Sequence, residues 1–123
     1  MKAMLSIKPE YVRRILAGEK TYEFRRRIFT RQDVDTIIIY TTSPVCRILA
    51  EAHITRILQD TPQRLWDRTH RHGGISHDKF MRYFQDRDTA YAIQLGELTR
   101  FATPRTLADY QVKTAPQSFI YTQ

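Results

Sequence analysis

The sequence of 123 residues contains one cysteine, four glycines and no long apolar run. Cys46 has no partner for an internal disulfide and cannot build a cysteine-based zinc finger, which excludes a disulfide-stapled secreted module. The longest aliphatic stretch is the three isoleucines at 37–39, whereas a membrane-spanning helix needs about 20 apolar residues. Lys8 and Pro9 interrupt the N-terminal apolar residues, so no signal peptide is expected. These absences predict a cytoplasmic chain with a single domain over residues 1–123.

Acidic residues are scarce relative to basic ones. There are 20 Lys and Arg against 13 Asp and Glu, which gives a formal charge of +7. Lysine supplies only five of the 20 cations, so arginine dominates. The arginine fork matches phosphate oxygens and stacks on flat rings, and this excess therefore favours an RNA or nucleotide partner. No membrane partner and no cofactor is expected, and we expect a monomer or a weak homodimer.

The apolar pattern predicts an α+β fold. Strands are predicted where apolar residues alternate, over 1–7, 21–25, 35–42, 46–55, 89–95 and 98–102. Helices are predicted where apolar residues recur at three- and four-residue spacing, over 9–17, 62–70 and 77–85. The apolar tail at 116–121 is expected to pack back on the body. We expect a small, closed or nearly closed, mostly antiparallel β-barrel of five or six strands with two or three flanking helices.

Three further predictions concern individual residues in or between these elements. Gly96 and Glu97 predict a turn between the last two strands. Cys46 is interpreted as a core thiol of the strand over 46–55. The aromatic side chains of α-helical spacing are interpreted as core rather than as platforms for bases, namely Trp66, Phe80 and Phe84.

Three histidines, His70, His72 and His77, surround a Gly73-Gly74 loop. As metal ligands they would need a further partner, and Asp78 is the only carboxylate close to them in the sequence. A solvated loop, or a basic loop that faces RNA, is the favoured interpretation. No metal site is therefore predicted.

The densest polar cluster extends from Gly18 to Arg25, where a helix ends and a strand begins. Alternation places Thr21, Glu23 and Arg25 on one face of the strand. Lys20 joins them only if it belongs to the turn after Gly18. Lys20 could then hold a phosphate or act as a base or nucleophile, and Glu23 could accept a proton or a donor from a base edge. The alternative is a structural ion network that ties the helix end to the strand.

The residues Gly18-x-Lys20-x-x-Glu23-x-Arg25 resemble the GxKxxExR motif of the ASCH domain, a PUA-like β-barrel family associated with RNA. The stretches at 39–44, 88–96 and 115–119 are also similar to its small stand-alone prokaryotic members. The resemblance implies a ligand cleft between the first helix and the barrel, formed by the motif. The implied ligand-binding residues are Lys20, Thr21, Glu23, Arg25, Arg26, Tyr40, Thr41, Thr42, Ser43, Gln117 and Ser118.

Three functions remain open from the sequence. The first is binding of RNA or a modified nucleotide. The second is hydrolysis, either of RNA or of N4-acetylcytidine, with Lys20 and Glu23 as the catalytic residues. The branch of the family that hydrolyses N4-acetylcytidine uses a lysine, a threonine and a glutamate; Lys20 matches, Glu23 stands where the threonine is expected, and no glutamate occurs at 72–76. The third is a regulatory protein-interaction module.

Overall fold

The computed structural model, which describes residues 1–123, contains six β-strands and three α-helices. The helices are α1 Pro9–Leu16, α2 Pro62–Thr69 and α3 His77–Tyr83, with 3-10 turns at His70–His72 and Ala108–Tyr110. None of these helices is long and apolar enough to cross a membrane. The strands are β1 Lys2–Ile7, β2 Tyr22–Arg25, β3 Thr36–Thr41, β4 Arg47–Asp60, β5 Ala90–Arg105 and β6 Phe119–Thr122. The α+β class predicted from the sequence is confirmed.

The strands form one sheet in the order β2-β5-β4-β3-β1-β6. Only β1 and β3 pair in parallel, and the other neighbours are antiparallel, as predicted. The sheet is not closed, because β2 and β6 lie at opposite ends of this order and do not pair with each other. The architecture is therefore an open six-stranded sheet rather than a closed barrel. Each end strand has only four residues, and short edge strands limit pairing with other chains.

The predicted turn at Gly96 and Glu97 is wrong, because β5 continues without interruption from Ala90 to Arg105. It pairs along β4, and the register shifts on either side of Ile54. A Cβ at Gly96 would lie 2.8 Å from Thr55 Oγ1. The glycine therefore permits the close approach of β4 and β5 where their register shifts. Besides forming turns, glycine commonly has this role in sheets.

Two apolar clusters hold the helices against the sheet. Val12 and Ile15 of α1 are buried in a cluster with residues of β1, β3, β4 and β5. Phe80 and Phe84 are buried with Leu65 in a second cluster that joins α2 and α3 to the other end of the sheet. Trp66 packs half-buried against this second cluster. The interpretation of these aromatic residues as core is confirmed.

The starts of α2 and α3 follow from their capping residues. The Thr61 hydroxyl accepts a hydrogen bond from Arg64 N, and the Ser76 hydroxyl accepts one from Lys79 N. Each satisfies an amide that the first helical turn leaves unpaired. The two caps fix where α2 begins after β4 and where α3 begins after the Gly73-Gly74 loop.

The turn between β3 and β4 contains Cys46, which was predicted to lie within the strand. Cys46 instead precedes β4, has a positive φ of 53° and is only half-buried. Burial, together with the neighbouring Cys46 thiol, raises the pKa of Tyr40. The strand pattern misplaced this residue because β3 turns back through 42–46 before β4 begins.

Candidate functional site

A cavity of about 450 Å³ lies between α1, β2 and α3, and we call it the cleft. The end of β1 and the start of α1 form one wall, β2 forms the base, and α3 forms the opposite wall. Its walls therefore come from the first 25 residues and from a segment about 50 residues further along the chain. The lining residues are Ser6, Ile7, Lys8, Glu10, Tyr11, Lys20, Glu23, Phe24, Arg25, Ile75, Lys79, Arg82 and Tyr83.

Lys20 lies in the turn between α1 and β2, as the convergence of the motif requires. Its backbone N–H donates to Arg14 O, and β2 begins only at Tyr22. The side chain is 2% exposed. Its Nζ donates to Gly73 O at 2.6 Å and lies 4.7 Å from the centre of the Phe24 ring. The ammonium group is therefore held at the base of the cleft, out of bulk water.

Burial changes the acidity of Lys20. Desolvation lowers the pKa of its ammonium from 10.5 to about 8, and the positive charges of Arg14 and Arg25 act in the same direction. The carboxylate of Glu23 opposes this change, with Oε1 4.0 Å from Lys20 Nζ. A lysine with this pKa exchanges protons near neutral pH, which an ordinary surface lysine does not do.

Glu23 and Arg25 lie on one face of β2, as alternation predicts. Glu23 is 7% exposed, and its Oε2 lies 3.2 Å from an Arg25 amino nitrogen. The same nitrogen donates to Ser6 O at 3.0 Å, which ties β2 to β1. The Nε of Arg25 is buried and has no hydrogen-bond partner. One donor of the guanidinium is therefore unsatisfied beside the cleft.

The structure places the remaining residues of the motif region differently. Thr21 does not line the cleft; its N–H donates to His72 O and its carbonyl accepts from Leu95 N. It anchors β2 to its neighbours. Arg26 is exposed, with its guanidinium 4.8 Å from the centre of the Tyr83 ring at the cleft wall. Lys20, Glu23 and Arg25 are thus the predicted residues that the fold brings together.

The predicted ligand-binding residues at the end of β3, in the turn after it and before β6 do not line the cleft. Tyr40 borders a separate groove with Cys46, and Thr41 is buried with an unpartnered hydroxyl. Both segments nevertheless form hydrogen bonds with residues that line the cleft. Thr42 N donates to Ile7 O, and Ser6 Oγ donates to Pro116 O. A role in ligand binding stays a prediction for Tyr40, Thr41, Thr42, Ser43, Gln117 and Ser118.

The sequence predicted α1 as one wall of the cleft but none of its side chains, and it missed the α3 wall. Tyr11 lies on α1, and its ring centre is 5.3 Å from Lys20 Nζ. Lys79, Arg82 and Tyr83 lie on α3. Their spacing of three and four residues marks one helix face. This spacing can be read from the sequence, but the segment was interpreted only through its neighbouring apolar face of Phe80 and Phe84, as part of the core.

Cations outnumber carboxylates around the cleft. Five cationic side chains and two carboxylates line it. Lys79 Nζ lies 3.9 Å from Glu10 Oε2, across the cleft from α3 to α1. Arg82 pairs with Asp78 at 2.8 Å on the exposed side of α3. The balance of charge favours an anionic group at the mouth of the cleft.

The histidines flank a tryptophan instead of converging on one point. The rings of His70 and His77 lie 5.4 and 4.8 Å from the Trp66 ring. No group of three or more His, Cys, Asp or Glu side chains is arranged to hold a metal ion. The loop they surround contacts Lys20 through the backbone carbonyl of Gly73.

Comparison with known proteins identifies relatives of this chain. The model of the ASCH domain matches residues 5–99. An ASCH domain-containing ribonuclease of Zymomonas mobilis is 35% identical over 94 residues, which cover 76% of this chain and 64% of that protein.

Solved structures resemble the fold as a whole. The crystal structure of ASCH from Zymomonas mobilis has a TM-score of 0.89 and 30% identity, and the match covers 99% of this chain and 87% of that one. A tyrosine-to-phenylalanine variant of ZmASCH from the same organism matches with a TM-score of 0.89 and 29% identity over 99% of this chain and 90% of that one.

Proposed function

The chain belongs to the ASCH domain family, and we propose that it binds single-stranded RNA with one nucleotide seated in the cleft. The observation that carries this proposal is the convergence of Lys20, Glu23 and Arg25 at the base of a cleft with excess positive charge. An ion network that served only to tie α1 to β2 would not need a cavity above it. The volume of about 450 Å³ lies within the range of sites for small ligands.

The chemistry of the cleft suits the parts of a nucleotide. Phosphate oxygens suit the cationic side chains at the mouth, Lys8, Lys79 and Arg82. A base suits the flat rings of Tyr11 and Tyr83, which line opposite walls. An acceptor on the ligand would also satisfy the unpartnered Nε of Arg25, whose burial without a partner costs about 1–3 kcal/mol.

RNA binding is tested by fluorescence anisotropy with a labelled pool of mixed single-stranded RNA. Arg25→Gln removes the charge and the fork at the base of the cleft, and we expect its affinity to fall about tenfold or more. Arg100→Gln is the matched control, because Arg100 is exposed on β5 and does not line the cleft. Absence of binding by the wild type, or equal loss in both variants, would contradict the proposal.

A second candidate function is cleavage of the bound RNA. Two observations favour it: the pKa of Lys20 is lowered to about 8, and the similar Zymomonas mobilis protein carries the name ribonuclease. A partly neutral lysine can take a proton from an attacking hydroxyl, and its charged form can stabilise the phosphate. Glu23, beside it, is the other candidate catalytic group.

Cleavage is tested by incubating end-labelled RNA with wild type and Lys20→Met. We expect Lys20→Met to remove cleavage while it retains measurable binding through the mouth of the cleft. A parallel incubation with N4-acetylcytidine separates the two hydrolase hypotheses, since deacetylation without RNA cleavage would indicate an amidohydrolase. Turnover that survives Lys20→Met would rule out Lys20 as the key group.

A further inference from the structure

We propose that the Gly73-Gly74 turn is a positioning element that fixes the Lys20 side chain at the base of the cleft. The functional meaning of this inference rests on the proposed function, because it concerns the same site. The structural part of it can be tested without any ligand. The sequence predicted only a solvated loop here, or a basic loop that faces RNA.

Three successive backbone carbonyls of the turn face the junction between α1 and β2. His72 O accepts from Thr21 N at 2.9 Å. Gly73 O accepts from Lys20 Nζ at 2.6 Å. Gly74 O accepts from an Arg14 amino nitrogen, also at 2.6 Å. The turn therefore holds the backbone after Lys20, the ammonium of Lys20 and the guanidinium of α1 at the same time.

The absence of a side chain at Gly74 lets the turn lie directly on Lys20. A Cβ there would be 2.6 Å from Lys20 Cβ, 2.9 Å from Cγ and 3.0 Å from Cδ. Contacts this short involve the whole stem of the lysine, so the side chain could not avoid them by moving only its end. Gly74 also has a φ of +63°, which favours glycine.

Gly73 is enclosed in a similar way. A Cβ there would lie 3.2 Å from the Phe24 ring and 3.3 Å from Thr69 O. These distances are tight, but they leave room for adjustment. The φ of Gly73 is −79°, so an alanine at this position would meet no backbone strain. The two glycines thus differ in how strongly a substitution would displace the turn.

The turn acts on Lys20 together with the charged and aromatic groups around it. Glu23 and Arg25 face the ammonium from β2, while Arg14 and Tyr11 face it from α1. The turn is the wall that closes the remaining side. If it moves, Lys20 loses the Gly73 carbonyl and gains access to water. Both the position of Nζ and its affinity for a proton then change.

The test compares Gly74→Ala with Gly18→Ala. Both glycines have a positive φ, +63° and +79°, so both variants bear similar backbone strain. A Cβ at Gly18 meets nothing within 4 Å, whereas one at Gly74 meets Lys20. The readout is the titration of Lys20, followed by NMR of its side-chain Cε and Nζ with Lys20→Met to assign the signal.

We expect Lys20 to titrate near 8 in the wild type and in Gly18→Ala, and to shift toward 10.5 in Gly74→Ala. We also expect Gly74→Ala to weaken RNA binding. If Gly74→Ala fails to fold, Gly73→Ala replaces it, with a smaller shift in the same direction. A folded variant of the turn whose Lys20 titration matches that of the wild type would overturn the proposal.

These outcomes separate the two proposals. A shifted Lys20 titration in a protein that binds no RNA would support the positioning role and contradict the proposed function. If the wild type binds RNA but the turn variants do not change the Lys20 titration, the proposed function is supported and the positioning role is contradicted.

Discussion

Lys20 shows how a single residue can be held in an unfavourable environment. A buried ammonium loses hydration, and its neighbours must compensate. Here the compensation comes from Gly73 O, the Glu23 carboxylate and the Phe24 ring. It is incomplete, because the pKa of Lys20 falls to about 8. A residue of this kind weakens the fold at neutral pH, which is a common property of functional sites.

The stability of the protein should therefore rise with pH in a defined window. Below about pH 8 the folded and unfolded states both hold the Lys20 proton, and the folded state bears the full cost of burying it. Between about 8 and 10.5 only the unfolded state holds the proton. The free energy of unfolding should gain roughly 3 kcal/mol across this window from Lys20. Urea denaturation at pH 7.5 and at pH 10 measures the gain.

Lys20→Met is the control for this prediction, because methionine keeps much of the stem and has no proton to lose. We expect the variant to lack the gain that the wild type shows, while other titrating groups contribute equally to both. A wild type and a variant with the same change between the two pH values would show that Lys20 titrates normally in the folded state.

Among the elements, the pair of β4 and β5 has a local sequence that misleads prediction. The Gly96-Glu97 pair resembles a turn, yet it lies inside β5, which has 16 residues and pairs with the 14-residue β4. The long antiparallel pairing on either side outweighs the local preference of one glycine. The glycine instead accommodates Thr55, which lies across from it at the register shift.

Gly96→Ala should therefore destabilise the protein through Thr55. The added Cβ would lie 2.8 Å from Thr55 Oγ1, and we expect a loss of about 1 kcal/mol or more from crowding. Thr55→Ala alone should change stability by less than about 0.5 kcal/mol, because Thr55 is exposed. The double variant should recover most of the loss in thermal or urea unfolding. Additive effects of the two substitutions would disprove the contact.

The whole molecule carries a charge of +7, and part of it surrounds the cleft. Five of the cations line the cleft, and the mouth includes Lys8, Lys79 and Arg82. Electrostatic attraction of this kind acts on any RNA sequence, whereas the enclosed base of the cleft can select a nucleotide. Affinity and selectivity are thus expected to depend on different residues.

RNA binding should weaken as salt rises. If the three cations at the mouth each neutralise a phosphate of single-stranded RNA, the slope of log affinity against log salt is about −2. Arg82→Gln should make the slope less steep by about 0.7, as measured by anisotropy titrations between 50 and 300 mM KCl. Arg87→Gln is the control, because Arg87 is exposed just after α3 and does not line the cleft. A slope near zero would contradict phosphate contacts.

The sequence by itself determined the local features of this protein. The start of α1 at Pro9 and the shared face of Glu23 and Arg25 depend on residues within a few positions of one another. The motif and its family could be read for the same reason. Local hydrogen bonds and alternation leave a direct trace in the order of residues.

Only the tertiary structure decided how the cleft is closed and how far the sheet extends. The bond from Lys20 to Gly73 O joins residues 53 positions apart, and that from Arg14 to Gly74 O joins residues 60 apart. The open edges of β2 and β6 likewise depend on which strands pair. Contacts between distant segments follow from the packing of the whole chain. Every residue has a backbone carbonyl, so the sequence does not show which carbonyls will accept these hydrogen bonds.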